Sequence, residues 1–321
     1  MKAAVVHTFG SPPCFEEFSE PTVRTGEVVV KVLAAGLHPI VKALADGSHY
    51  GSTKTLPLIP GVDGVGRLDD GTRVFFGTVR PPYGTMAERA AAPRQMCLPL
   101  PESLDDVTAA ALFNPGISAW LALTWRAQLA AGETVLILGA TGASGRLAVQ
   151  LAKHFGAGKV IAAGRNKQVL SRLPAFGADT TISLDQPDHD LAQALAQAAG
   201  DTGIHVIIDY LWGRPTEAVI AAITREGLFH VAPRVRLVEV GQMAGPTIAL
   251  PAAVLRGSGL EIYGSGGGTI PVERIMEAIP QFVELASDQG LRIETEQVPL
   301  AQVADAWSRQ ATDNRRLVVI P

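Results

Sequence analysis

The sequence predicts an α/β chain in two parts, a β-rich stretch followed by a doubly wound parallel sheet. Three observations carry that prediction. The first ~110 residues are dense in Gly and Pro between short apolar runs. From Thr134 onward, apolar runs of strand length alternate with segments of helical periodicity. A glycine-dense turn joins the first of those runs to the helix after it.

In the first part, Met1–His7 reads as a short strand, and Glu27–Leu33 follows the turn signal Thr25-Gly26 as another. Gly36, Pro39, Gly47, Gly51, Pro57, Pro60, Gly61, Gly64 and Gly66 then punctuate the chain. That spacing suits a barrel-like domain with functional loops rather than helices. Asp105–Leu129, rich in Ala, Leu and Trp, reads as a helix. Thr134–Leu138 is a continuous apolar run of the kind buried on both faces of a parallel sheet. A helix is expected over Ser144–Phe155, with Leu147, Leu151 and Phe155 on one face and Gly156 ending it. Strands are then expected at Val160–Ala163, Thr180–Leu184, Val206–Leu211, Val235–Val240 and Leu260–Tyr263. Helices are expected at Lys167–Phe176, Asp190–Ala199 and Pro215–Thr224. A tail of two helices, Val272–Ser287 and Val303–Arg309, and a closing strand, Leu317–Ile320, is read as returning to the first domain.

With 321 residues, 47% hydrophobic and 18% charged, the chain can bury two cores. The net charge of −4 argues against a nucleic-acid partner. No uninterrupted apolar run of membrane-spanning length occurs, so no membrane span is expected. The N-terminus lacks the pattern of a secretory signal. Two cysteines, Cys14 and Cys97, cannot build a disulfide framework or a four-cysteine metal lobe, and a reducing cytoplasm is the expected location.

The turn Gly139-Ala140-Thr141-Gly142-Ala143-Ser144-Gly145 carries the chemistry. Glycines let a backbone approach a phosphate, and a helix N-terminus offers free N–H groups and partial positive charge. The dinucleotide fingerprint G-x-G-x-x-G fits best as Ala140-x-Gly142-x-x-Gly145, with Ala in the first place. An ordinary tight βα turn is the alternative. Arg165 lies 20 residues beyond Gly145, at the end of the second strand of the series. A carboxylate there would hold the 2′-hydroxyl of NAD, whereas a guanidinium suits the 2′-phosphate of NADP. The alternative is a solvated surface arginine.

With these pieces in place, nearly the whole chain resembles the zinc-independent quinone oxidoreductases of the medium-chain dehydrogenase/reductase superfamily. The resemblance rests on Ala34-Ala35-Gly36-Leu37-His38-Pro39, Pro60-Gly61-Val62-Asp63-Gly64-Val65-Gly66, Tyr83-Gly84-Thr85-Met86-Ala87-Glu88 and the nucleotide turn. Asp209-Tyr210-Leu211-Trp212-Gly213 and Val240-Gly241-Gln242 add to it. It implies a GroES-like catalytic domain over 1–115, a Rossmann NADP-binding domain over 116–266 and a C-terminal return over 267–321. It implies NADPH as cofactor, held by Asn114, Gly142, Ala143, Ser144, Gly145, Arg165, Asn166, Gly241, Gln242, Ser265 and Arg315. Asn114 would orient the nicotinamide or cap a helix. Gly164 would leave room for the 2′-phosphate. Arg315 and Arg316 stand where the branch commonly has Gly-Lys, and would reach the cofactor phosphates or be solvated. A homodimer paired along Leu260–Tyr263 is also implied.

Zinc-dependent relatives place ligands where His38, Val62 and Asn114 stand. Val62 cannot coordinate, an amide is a poor zinc ligand, and His38 with Asp63 makes two candidates where three are usual, so no metal site is expected. Without a Lewis acid, a quinone or an α,β-unsaturated ketone is the expected small-molecule acceptor. His38 and Tyr50 are the candidates to hydrogen-bond the developing oxyanion. A loop histidine bonded to backbone and a packing tyrosine are their alternatives. His7, His49, His154, His189, His205 and His230 form no constellation, and no G-x-S-x-G elbow appears. An NADPH-binding sensor or structural protein with little turnover and a zinc-type alcohol dehydrogenase stay open as functions.

Overall fold

The computed structural model describes residues 1–224, 232–288, 290–309 and 315–321. His230 therefore lies outside the described residues. Contacts divide the chain into two units, one of Met1–Asn114 with Val283–Pro321 and the other of Pro115–Phe282.

The first unit opens with an antiparallel pair, β1 (Lys2–Val5) and β2 (Cys14–Glu17). The long strand β3 (Glu27–Gly36) leads into α1 (Pro39–Ala45). Strands β4 (Asp63–Arg67), β5 (Arg73–Gly77), β6 (Arg89–Pro93) and β7 (Cys97–Pro99) follow. Helix α1 departs from the expectation of loops alone. Proline at a first helical position has its φ preset and sacrifices no bonded N–H. Pro39 starts the helix in that way, and Val41 and Ala45 bury one side of it.

Helix α2 (Asp106–Leu121) runs on into a π-turn at Ala122–Arg126, so the expected helix of Asp105–Leu129 ends early and loosens its winding. Gln128 then takes a left-handed φ of 50°. The span Asp106–Arg126 is apolar and long enough to cross a bilayer, but 67% of its most apolar window is buried inside the protein.

The second unit is built on β8 (Thr134–Leu138), β9 (Lys159–Gly164), β10 (Thr180–Ser183), β11 (Val206–Asp209), β12 (Val235–Glu239) and β13 (Leu260–Gly264). These strands are parallel throughout, in the order β10-β9-β8-β11-β12-β13. Every residue of β8 is buried, as a strand covered on both faces requires. Helix α3 (Ala143–His154) buries Leu147 and Leu151, and Gly156 at φ +84° follows its end. The helix expected over Lys167–Phe176 is broken into α4 (Lys167–Leu170) and a 3-10 turn at Leu173–Phe176. Pro174 has no N–H to continue the α-helical ladder there. Helices α5 (Asp188–Ala199), α6 (Arg214–Ile223), α7 (Ala252–Gly257) and α8 (Val272–Ser287) complete the series, α7 being unforeseen. Leu136, Ile161, Leu191, Leu195, Ile207, Val219 and Leu237 form its main core.

The chain ends with β14 (Thr295–Pro299), α9 (Val303–Ser308) and β15 (Arg316–Ile320). β14 and β15 are parallel neighbours, and β15 pairs antiparallel with β3, so the C-terminus completes the seven-stranded sheet of the first unit. Val298, Val303 and Val319 join Ala3, Val5, Leu37 and Met86 in its core.

Candidate functional site

The strand order of the second unit reverses between β8 and β11, since β9 lies on one side of β8 and β11 on the other. In open parallel sheets, ligands bind at the carboxyl ends of strands at such a reversal. The turn after β8 has the geometry for it. Gly139 carries the left-handed φ of +86°, one residue before the first fingerprint place assigned from sequence. Gly142 is the N-cap of α3 with no side chain capping the helix, so its first-turn N–H groups stay available. A Cβ on Gly142 would meet only the Gly139 carbonyl, at 3.4 Å. A Cβ on Gly145 would fall 2.2 Å from that same oxygen, so this glycine is needed for the helix to start against the turn. An open, uncapped helix start and the half-buried Ser144 fit a pyrophosphate.

At the end of β9, Arg165 is exposed. Its neighbours differ from the sequence reading. A Cβ on Gly164 would lie 2.4 Å from Thr141 Cγ2, so this glycine accommodates a threonine of the turn rather than a phosphate. Asn166 accepts a hydrogen bond from Val169 N at 3.1 Å and caps α4.

Beyond β12, Gly241 N donates to Asp209 O at 3.2 Å, and Gln242 is exposed. Ser265 follows β13 with its Oγ buried and without a hydrogen-bond partner among the described residues. Asp209, which the sequence offered only as part of a familiar run, is fully buried and closes this edge. Its Oδ1 accepts from Leu211 N and Trp212 N at 2.8 and 2.9 Å, and its Oδ2 accepts from Thr216 Oγ1 at 2.5 Å. Burial nevertheless outweighs the three donors and pushes its carboxyl up from the ordinary range. Burial, with Asp209 beside it, also pushes Glu239 up.

The remaining candidates lie in or at the end of the first unit. Asn114 stands inside α2, half-buried, which removes the helix-cap alternative. Arg315 is exposed, but Arg316 is buried and donates from Nη1 to Leu37 O at 3.1 Å, so it is neither solvated nor turned outward. His38 is 1% exposed. Its Nε2 lies 3.3 Å from Asp63 Oδ1, close but outside good hydrogen-bond geometry, with the Ala110 backbone also beside the ring. A Cβ on Gly36 would fall 2.3 Å from Nε2, so the ring needs that glycine. Burial lowers the His38 pKa, outweighing Asp63, and the Arg316 charge adds to the lowering.

Tyr50 is 80% exposed, with its ring 4.1 Å from that of His49. It lines a groove of about 350 Å³ with Phe9, Asp46, Ser52, Thr53 and Lys54, and His38 is not in that wall. The first unit thus sets the two proposed oxyanion donors apart, one in a core and one on a surface. Among the described residues, no three His, Cys, Asp or Glu side chains gather as metal ligands would.

The zinc-binding dehydrogenase family matches residues 143–287. The chain is 27% identical over its whole length to a probable NADPH-dependent quinone reductase of Emericella nidulans, all of which it covers. It is 32% identical to the quinone oxidoreductase of Rattus norvegicus across 66% of each protein. Its structure matches the quinone oxidoreductase of Thermus thermophilus, solved alone and with NADPH, at a TM-score of 0.83, 29% identity and full coverage of both chains.

Proposed function

The chain belongs to the quinone oxidoreductase branch of the medium-chain dehydrogenase/reductase superfamily, and from that premise we propose that it is an NADPH-dependent reductase of quinones or α,β-unsaturated carbonyls. The observation that carries this reading is the uncapped start of α3 beside the open Gly142, at the reversal of strand order. Backbone N–H groups of Ala143, Ser144 and Gly145 would hold the pyrophosphate there. Arg165, with no carboxylate in Ala162–Lys167, would hold the 2′-phosphate. Gly241, Gln242 and Ser265 would face the nicotinamide half, while Asn114 and Arg315 remain candidates from the first unit. The bound cofactor would supply the hydride, and the protein would supply orientation and exclude water. Tyr50, on its exposed groove, would meet the acceptor ring.

Zinc is not required by this reading. His38 and Asp63 supply two donors, and Val62 supplies none. The two free cysteines fit a reducing cytoplasm. A homodimer would form along β13, an edge strand on which Ile262 is 37% exposed. Light scattering should give twice the chain mass, and Ile262→Pro in a chain that still folds should give a monomer.

The decisive assay is NADPH oxidation against a panel of quinones, enones and aldehydes, with NADH as control and metal content measured on the same sample. Turnover with a quinone and no stoichiometric zinc is expected. The separation of His38 from the Tyr50 groove favours one second reading, a dinucleotide-binding protein with little turnover. Tight NADPH binding with no acceptor reduced would select it.

A further inference from the structure

The carboxyl edge of the sheet in the second unit holds a row of residues that continues the strand register by one place. Asp209, Glu239 and Gly264 are aligned across β11, β12 and β13. Ladder hydrogen bonds persist beyond them: Tyr210 N donates to Leu138 O, Val240 N to Asp209 O and Ser265 N to Glu239 O. Tyr210, Val240 and Ser265 therefore form the next row. Side chains alternate along a strand, so this row faces away from Asp209, whose carboxylate is turned to Thr216 of α6.

Both outer members of the row carry a hydroxyl buried without a partner among the described residues, Tyr210 Oη and Ser265 Oγ. Two orphan hydroxyls in one row at a ligand-binding edge are unusual, because an unpaired buried hydroxyl is costly and most are bonded. Tyr210 also sits against the phosphate turn. A Cβ on Gly139 would lie 3.3 Å from Tyr210 Cβ, and one on Gly241 would lie 3.2 Å from Tyr210 O. The residue is thus flanked by two glycines of the cofactor crevice, and by the strands β8 and β11 at which the order reverses.

We propose that Tyr210 is a further cofactor-binding residue, whose phenolic hydroxyl hydrogen-bonds an oxygen of the dinucleotide shared by NADPH and NADH, with Ser265 two strands away serving the same ligand. This rests on the dinucleotide reading above. Burial holds the Tyr210 phenol above its ordinary pKa, so the group stays a proton donor at neutral pH. The contact lies at β11, on the other side of β8 from Arg165 at the end of β9, and so is independent of the 2′-phosphate.

The test is calorimetric titration of NADPH and NADH into the full-length protein and into Tyr210→Phe, with melting temperatures of all ligand-free forms. Loss of one neutral hydrogen bond should weaken both cofactors by the same factor, roughly 2–10-fold. The ligand-free variant should melt no lower than wild type, because among the described residues none bonds to the hydroxyl. Tyr83→Phe supplies the contrast: Tyr83 Oη donates to Glu20 O at 3.0 Å, so its removal should lower the melting temperature without weakening either cofactor. Unchanged affinities in Tyr210→Phe would overturn the proposal. So would a fall in its ligand-free melting temperature, which would mean that the hydroxyl is bonded within the protein. Failure of the wild type to bind either cofactor would instead overturn the dinucleotide reading, and this inference with it.

Discussion

Two buried aspartates, one in each unit, are treated in opposite ways. Asp209 is fully buried and accepts three hydrogen bonds from the turn and helix that follow it. Asp63 is 6% exposed, and its Oδ1 lies 3.3 Å from His38 Nε2, a buried contact outside good hydrogen-bond geometry. A carboxylate with all its donors is architecture: it fixes the backbone after β11, including Trp212 at φ +55°. A buried carboxylate set loosely against an imidazole offsets less of the cost of its burial.

The sharpest break of that comparison is Asp209→Ala. It strips the acceptor from one buried and two part-buried donors at once, and a loss of roughly 2–4 kcal/mol in urea denaturation is expected. Asp209→Asn, which keeps one acceptor oxygen for Leu211 and Trp212, should cost clearly less. Equal losses would mean that shape and not hydrogen bonding holds the turn.

Arg165→Ala should weaken NADPH by roughly 10–150-fold, the worth of one charge-assisted hydrogen bond, and leave NADH nearly unchanged. Titration of both cofactors measures it. Equal loss for both would make Arg165 a structural residue.

The His38–Asp63 pair makes its own prediction through pH. Burial lowers the folded-state pKa of His38 below its ordinary value near 6.5. Between those two values the unfolded chain binds more protons than the folded one, so stability is complete above about pH 6.5 and falls on acidification, with a slope of at most ~1.4 kcal/mol per pH unit. Denaturation at several pH values should show this slope in wild type and lose it in His38→Gln. A slope unaltered by the substitution would assign the acid sensitivity elsewhere.

Tyr50→Phe should have the smallest effect. The ring stays available for stacking and the hydroxyl is solvated, so a loss of turnover below roughly tenfold is expected, well under the effect of a dedicated oxyanion donor. A larger loss in kcat, with KM unchanged, would make the hydroxyl a true donor.

The second unit was the more legible. Thr134–Leu138 was readable to the residue because a strand covered on both faces is apolar throughout. Lys167–Phe176 misled, because its periodicity is helical while Pro174 removes a donor from the ladder. In the first unit the pairing of β3 with β4, β6 and β15 joins segments far apart in sequence, and no local pattern encodes that.

At the candidate site the division is the same. The glycine turn after β8 and Arg165 after β9 were determined by the sequence itself, since backbone freedom and the position of a charge after a strand are local properties. Tertiary structure alone decided what those residues touch. It gave the space at Gly164 to Thr141, tied Asn166 to the start of α4 and buried Arg316 against Leu37. It also aligned Tyr210 with Ser265 and closed His38 into a core beside Asp63. Each of these depends on strand register or on packing between distant segments. Those are fixed by the whole core at once and leave no periodic trace in the chain.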